Sequence, residues 1–167
     1  MRIRRESEAD HAVVRAVNEA AFETAAEANL VEALRAKRIA LVSLVAESGN
    51  AVVGHILFSP VVLAEHGELN VMGLGPMAVL PGHQRKGIGS ALVREGLARC
   101  RQLGCRAVVV VGHPNYYPRF GFVPGTRYSI RCEYDVPADV FMIAELEKGA
   151  LKGLAGVVRY DDAFGGV

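Results

Sequence analysis

Six residues near the middle of the chain, Gln84-Arg85-Lys86-Gly87-Ile88-Gly89, have the types and spacing to hold an anion. Gly87 and Gly89 carry no side chain that would keep a bulky anion off the backbone, and Arg85 and Lys86 add full positive charges. Ile88, Leu92, Val93 and Leu97 then recur at helical spacing, so the glycine turn feeds the start of an amphipathic helix. The first amides of a helix have no partner inside it and sit at the positive end of its dipole. The preceding run, Leu74-Gly75-Pro76-Met77-Ala78-Val79-Leu80, reads as a buried strand. Strand, glycine turn and helix in that order make a cradle for a phosphate or diphosphate.

Other glycine motifs fit poorly. A Walker A loop needs Gly-x-x-x-x-Gly-Lys-Ser/Thr, which is absent, and a dinucleotide fingerprint needs a third glycine close to the first strand of the chain. The pattern does resemble the acetyl-CoA diphosphate loop of the GNAT family of N-acetyltransferases, Gln/Arg-x-x-Gly-x-Gly/Ala. A second stretch, Gly112-His113-Pro114-Asn115-Tyr116-Tyr117-Pro118-Arg119-Phe120-Gly121-Phe122, is similar to the late Tyr-x-x-x-Gly-Phe element of that family in its YhbS-like branch. Val53-Gly54-His55-Ile56-Leu57-Phe58-Ser59-Pro60 resembles the same branch. The resemblance covers about residues 40 to 125.

That resemblance implies an α/β fold with a mixed, mostly antiparallel sheet of six or seven strands and helices on both faces. It implies acetyl-CoA as co-substrate, no metal, and transfer of the acetyl group to a primary amine by direct attack on the thioester. By position, Met77, Ala78 and Val79 would line the pantetheine arm, and Gln84, Arg85, Lys86, Gly87, Ile88, Gly89 and Ser90 would hold the diphosphate. Asn115 and Tyr117 would lie near the sulfur, with Tyr117 as general acid and Tyr116 as its neighbouring alternative. A phenol with a pKa near 10 is protonated at neutral pH, and passing its proton to a thiolate of pKa near 8.5 is uphill by roughly 2 kcal/mol. Arg119 is expected to narrow that gap.

Removing a proton from the acceptor is harder to assign. A lysine-like amine with a pKa near 10.4 needs roughly 4.6 kcal/mol to become neutral at pH 7. The strand before the loop, Asn70 to Met77, carries no carboxylate, and Glu65 and Glu68 come too early. His55 has a suitable intrinsic pKa and is a candidate base; Glu27, Glu32 or a water chain are others. The missing carboxylate keeps open an alternative, a non-catalytic acyl-CoA-binding sensor or interaction module. His83 is expected to face solvent.

The rest of the composition bounds the partners. The chain has 167 residues, a formal net charge of +1 and 51% hydrophobic residues, which suits one globular domain over 1–167 and no broad electrostatic partner such as nucleic acid or an anionic membrane. No signal-like or membrane-spanning segment is visible, and Cys100, Cys105 and Cys132 lack zinc-site spacing, so reduced thiols and a cytoplasmic location are expected. A homodimer is expected to draw on Phe141, Ile143 and Phe164.

The patterns predict a strand over 3–5, a helix capped by Ser7 or Asp10 with Val13, Val14, Val17 and Phe22 as its apolar positions, and a second helix over 27–35. They predict a hairpin of strands over 40–47 and 51–63, a strand over 69–79 with a bulge near Pro76, and a helix over 85–102 closed by Gly104. Further expectations are a strand over 107–111, a helical turn over 115–119, and strands over 120–123 and 141–146. Within the tail, 153–167, a strand over 154–160 is left open.

Overall fold

A computed structural model describes residues 1–166. The chain forms two compact units. The first comprises residues 1–59, 75–98 and the tail from Asp162; the second comprises 60–74 and 99–161.

The first unit holds strands β1 (Arg2–Arg5), β2 (Val42–Ser48) and most of β3 (Ala51–Leu63), with helices α1 (His11–Ala21) and α2 (Ala26–Ala36). It also holds the far end of β4 (Val71–Val79) and most of α3 (Ile88–Gln102). The order is β1-β2-β3-β4, and β2 pairs antiparallel with both β1 and β3. The β2–β3 hairpin turns at Gly49, whose φ of +64° is the left-handed conformation a glycine adopts without strain.

Each face of this sheet is covered by helices, as the alternation of side chains requires. On one face Val14 of α1 and Leu30, Val31 and Leu34 of α2 pack with Val45 and Leu57. On the other, Gly54 is so close to α3 that a Cβ there would lie 3.1 Å from Leu92 and 3.2 Å from Ile88. Gly96 of α3 approaches the ring of Phe58 more closely still: a Cβ would sit 2.5 Å from Cζ. Phe22, expected within the first helix, instead ends it as the C-cap in extended conformation. At the start, Asp10 is clasped by the Arg4 guanidinium at 2.7 and 2.9 Å, which holds its carboxyl well below the usual carboxylate range.

The second unit is built around β5 (Ala107–Val111), an uninterrupted apolar strand whose first four residues are buried. It pairs parallel with β4 and antiparallel with β8 (Phe141–Glu145), and β8 pairs with β6 (Val123–Pro124). The end of β3 pairs with β9 (Gly156–Arg159), and β9 with β7 (Ile130–Cys132). The core joins Val61, Val71, Val109, Ile130, Phe141, Ile143 and Val158.

The path β1-β2-β3-β4-β5-β8-β6 has seven strands, within the six or seven the resemblance implies, mostly antiparallel, with short β7 and β9 added. Two further expectations need correction. The strand expected over 120–123 shrinks to Val123–Pro124, because Tyr117–Phe120 forms a 3-10 turn ended by Gly121 at φ +95°. No sequence pattern announced β7. Phe141 and Ile143 are 4% and 1% exposed in the core, and Phe164 packs on the α1–α2 cluster, so these residues are not a free dimer surface. Val167, the end of the tail, lies outside the described residues. An irregularity does lie near Pro76, as expected: Gly75 has φ +151° and a cis bond to Pro76.

Candidate active site

The ladder between β4 and β5 runs only from Val71–Ala107 to Gly73–Val109, while β4 continues to Val79. Beyond Gly73 the strand carries the residues expected to line an amide-rich arm. Ala78 is buried, and Met77 and Val79 are half-buried. The Val79 carbonyl accepts a hydrogen bond from Gln84 Nε2 at 3.0 Å. Gln84 therefore ties the turn back to the strand end.

After β4 the chain makes a 3-10 turn over Pro81–His83, and α3 begins at Ile88, three residues later than the sequence predicts. The delay has a backbone cause. Arg85 has φ +62° and Gly87 has φ +82°, and neither conformation can extend a right-handed helix. The first bond that leads into α3 runs from the Ala91 N–H to the Gly87 carbonyl at 3.0 Å, so the amides of Ile88 and Gly89 precede the helical ladder. A non-glycine residue held at positive φ is a strained feature of the kind that gathers at ligand-binding loops. The direction of a Cβ on Gly87 is open, with nothing within 4 Å. Arg85 and Lys86 are exposed, and among the described residues neither is taken up by a carboxylate. Ile88 is buried and anchors the first turn. The result is a solvent-facing array of amides and positive charge that suits a diphosphate. His83, expected at the surface, has its Nδ1 shut in without a hydrogen-bond partner.

His55 lies in the same unit but in a different setting. It is 0% exposed. Its Nδ1 lies 3.2 Å from Asn18 Nδ2 and its Nε2 2.9 Å from Ser43 Oγ. The amide of Asn18 can only donate, so Nδ1 accepts and Nε2 carries the proton toward Ser43. Ser43 passes a hydrogen bond to Glu6, which is also paired with Arg35 at 2.8 Å. Burial, with the charge of Arg35 second, pushes the imidazole down to about 3. A ring with both nitrogens engaged and none in contact with solvent cannot take a proton from an incoming amine. The expected base role does not fit this environment. The sequence held a clue: His55 stands in a run, Val52 to Phe58, that is apolar on both alternating faces. Glu32 is engaged too, accepting from Arg15 at 2.8 Å.

The late motif lies in the second unit. Tyr117 opens the 3-10 turn and is 8% exposed. Its ring meets Tyr116 and Phe122 edge-on, at centroid distances of 5.0 and 5.7 Å. Among the described residues its hydroxyl has no hydrogen-bond partner. Burial, with Tyr116 second, pushes the phenol up to about 12. Arg119 does not counter this shift. Its guanidinium lies 4.6 Å from the centre of the Tyr116 ring and donates to the carbonyls of Tyr116 and Asn115 at 2.8 and 3.4 Å. Asn115 itself is exposed. Sequence reasoning gave no role to Gly112, where the Tyr117 ring occupies the place a Cβ would take.

Among the described residues no three His, Cys, Asp or Glu side chains converge on one point, and no helix is long and apolar enough to cross a membrane. Cys100, Cys105 and Cys132 are free thiols.

Comparisons with known proteins agree with this architecture. YhbS of Escherichia coli K12, described as an uncharacterized N-acetyltransferase, is 34% identical over 165 residues, which is 98% of each chain. The crystal structure of E. coli YhbS in complex with CoA superposes with a TM-score of 0.94 at 34% identity, over 98% of this chain and 91% of that one. A GNAT family acetyltransferase from Brucella melitensis in complex with acetyl-CoA gives a TM-score of 0.82 at 38% identity, over 98% and 97% of the two chains. The model of the acetyltransferase (GNAT) family matches residues 10–122, a span that takes in the strand β4, the glycine turn and the late tyrosine motif. The chain therefore belongs to the acetyltransferase (GNAT) family.

Proposed function

We propose that this protein transfers an acetyl group from acetyl-CoA to a primary amine. The observation that carries the reading is the turn after β4, where Arg85 and Gly87 at positive φ bring open amides and two uncommitted cations together at the start of α3. Two relatives crystallised with CoA and acetyl-CoA support it. On this reading the turn from Gln84 to Ser90 binds the diphosphate, and the backbone of Met77, Ala78 and Val79 lies along the pantetheine. Asn115 and Tyr117 stand near the thioester, and the two units act as one acetyltransferase domain.

The amine nitrogen attacks the thioester carbonyl, the C–N bond forms, and the C–S bond breaks. The amine loses one proton, and the departing thiolate gains one. With the Tyr117 phenol pushed up to about 12, full proton transfer to a thiolate of pKa near 8.5 is uphill by about 5 kcal/mol, so its hydroxyl acts chiefly as a hydrogen-bond donor to developing negative charge. His55 takes no part in the proton transfer. With His55 enclosed, the acceptor loses its proton to water or to a carboxylate such as Glu27, or arrives as an amine of low pKa. The same vacancy gives weight to a second reading, an acyl-CoA-binding sensor without turnover.

Release of free coenzyme A thiol from acetyl-CoA across a panel of primary amines separates the two. Amine-dependent release supports the transferase. Saturable binding with no release for any amine supports the sensor.

A further inference from the structure

We infer that Gly112 is the positioning residue for the Tyr117 hydroxyl, acting as a flat seat for the ring; this rests on the reading of Tyr117 as the hydrogen-bond donor to the leaving sulfur. Gly112 immediately follows β5. A Cβ built on it would collide with Cε2 of Tyr117 and lie 3.0 Å from Cδ2 and 3.4 Å from Cζ. The ring thus rests directly on the glycine backbone. Tyr116 and Phe122 meet it edge-on, and Phe120 lies tilted at a centroid distance of 6.3 Å.

The seat cannot retreat. The Gly112 N–H donates to the Val140 carbonyl at 3.0 Å, and Val111 just before it pairs with Phe141 of β8. Nor can the tyrosine backbone shift easily. The Tyr117 N–H reaches the His113 carbonyl at 3.4 Å, and the turn it opens is closed by the Gly121 N–H bonding to the Pro118 carbonyl at 3.0 Å. The remaining freedom is rotation of the side chain, and a methyl group at Gly112 forces that rotation. The contact lies along the Cδ2–Cε2 edge of the ring, so relieving it calls for a turn about χ1, which moves the terminal oxygen farthest. Displacing a catalytic group by about 1 Å can lower a rate by about 100-fold. No conformational need of the glycine itself accounts for its presence, since its φ is not in the left-handed region.

The test is a double-mutant cycle of Gly112→Ala and Tyr117→Phe, with kcat for an amine acceptor and the calorimetric Kd for coenzyme A measured on each protein. The inference predicts that G112A lowers kcat by about 10-fold or more while Kd changes by less than about 3-fold. It also predicts that G112A has no further effect on kcat in the Y117F background, because the hydroxyl it misplaces is already gone. Equal losses in both backgrounds, or an unchanged kcat in G112A, overturn it. A wild-type kcat in Y117F alone instead removes the reading of Tyr117, and is thereby distinguished from failure of the seat. If G112A does not fold, G112A/Tyr117→Leu decides. A folded double variant with the activity of Y117L locates the collision at the ring, and an unfolded one overturns the inference.

Discussion

Asn18 donates from its Nδ2 to His55 Nδ1 at 3.2 Å, which fixes a buried histidine as the neutral tautomer that points its remaining proton at Ser43. A side chain of α1 thus locks onto the centre of β3. The same amide nitrogen also reaches the Val14 carbonyl at 3.0 Å.

The lock has a pH signature. The folded-state pKa of His55 is depressed to about 3, whereas the unfolded chain protonates it near 6.5. Between these values the unfolded state holds the extra proton, so stability falls as pH falls. The His55 contribution is intact above about pH 6.5, and between pH 6.5 and 4.5 it declines by about 2–3 kcal/mol. Urea unfolding at pH 7.5, 5.5 and 4.5 measures the slope. The slope should be shallower in His55→Gln, whereas the acidic limb of its kcat/KM profile should match the wild type. Parallel stability slopes, or loss of that limb, contradict the assignment.

Tyr117→Phe removes the phenol and leaves the ring that Tyr116 and Phe122 pack against. The expected result is a 10-fold or greater loss of kcat, in the range of general acid–base and hydrogen-bond contributions, with coenzyme A affinity unchanged. Steady-state kinetics with a calorimetric Kd read both. Tyr116→Phe, whose ring carries the Arg119 contact, should change kcat by less than about 3-fold.

Gly87 has φ +82° with open space where a Cβ would go, so Gly87→Ala meets a backbone penalty of about 1–2 kcal/mol and no collision. The loop should relax away from the conformation that exposes its amides. Coenzyme A affinity should weaken by about 5- to 30-fold with little change in melting temperature. Arg85→Ala and Lys86→Ala should weaken binding less, and the loss should shrink as salt is raised. An affinity for G87A equal to wild type contradicts the role of the turn.

The contact of Gly96 with Phe58 sets the spacing of α3 on the sheet. Gly96→Ala should destabilise the fold by about 1–3 kcal/mol despite the higher helix propensity of alanine, and Phe58→Leu in the same chain should recover part of it. Denaturant midpoints of the two variants test this. A more stable G96A would show that the helix has room to move.

Much of this was legible in the residues. The hairpin strand over 51–63 and the strand over 107–111 came out with the bounds predicted, because their apolar runs end at unambiguous turns. The start of α3 did not, since nothing in the letters of Arg85 signals a positive φ; only the glycines around it hint at one. β6 and β7 have two and three residues, too short for any period to show. The apolar run around His55 hints at its burial, but its partners Asn18 and Ser43, like the seating of Tyr117 on Gly112, are brought together by pairing and packing, and no spacing in the sequence encodes them. The pull expected of Arg119 failed for a related reason: the turn points its guanidinium back onto Tyr116.

The central claim is that the amides and cations between Gln84 and Ser90 hold the diphosphate of coenzyme A. Isothermal titration of the intact protein with coenzyme A, and of the G87A variant beside it, measures this most directly. The account predicts saturable one-to-one binding by the wild type and a several-fold weaker constant for the variant. Absence of heat with millimolar coenzyme A and acetyl-CoA would contradict it.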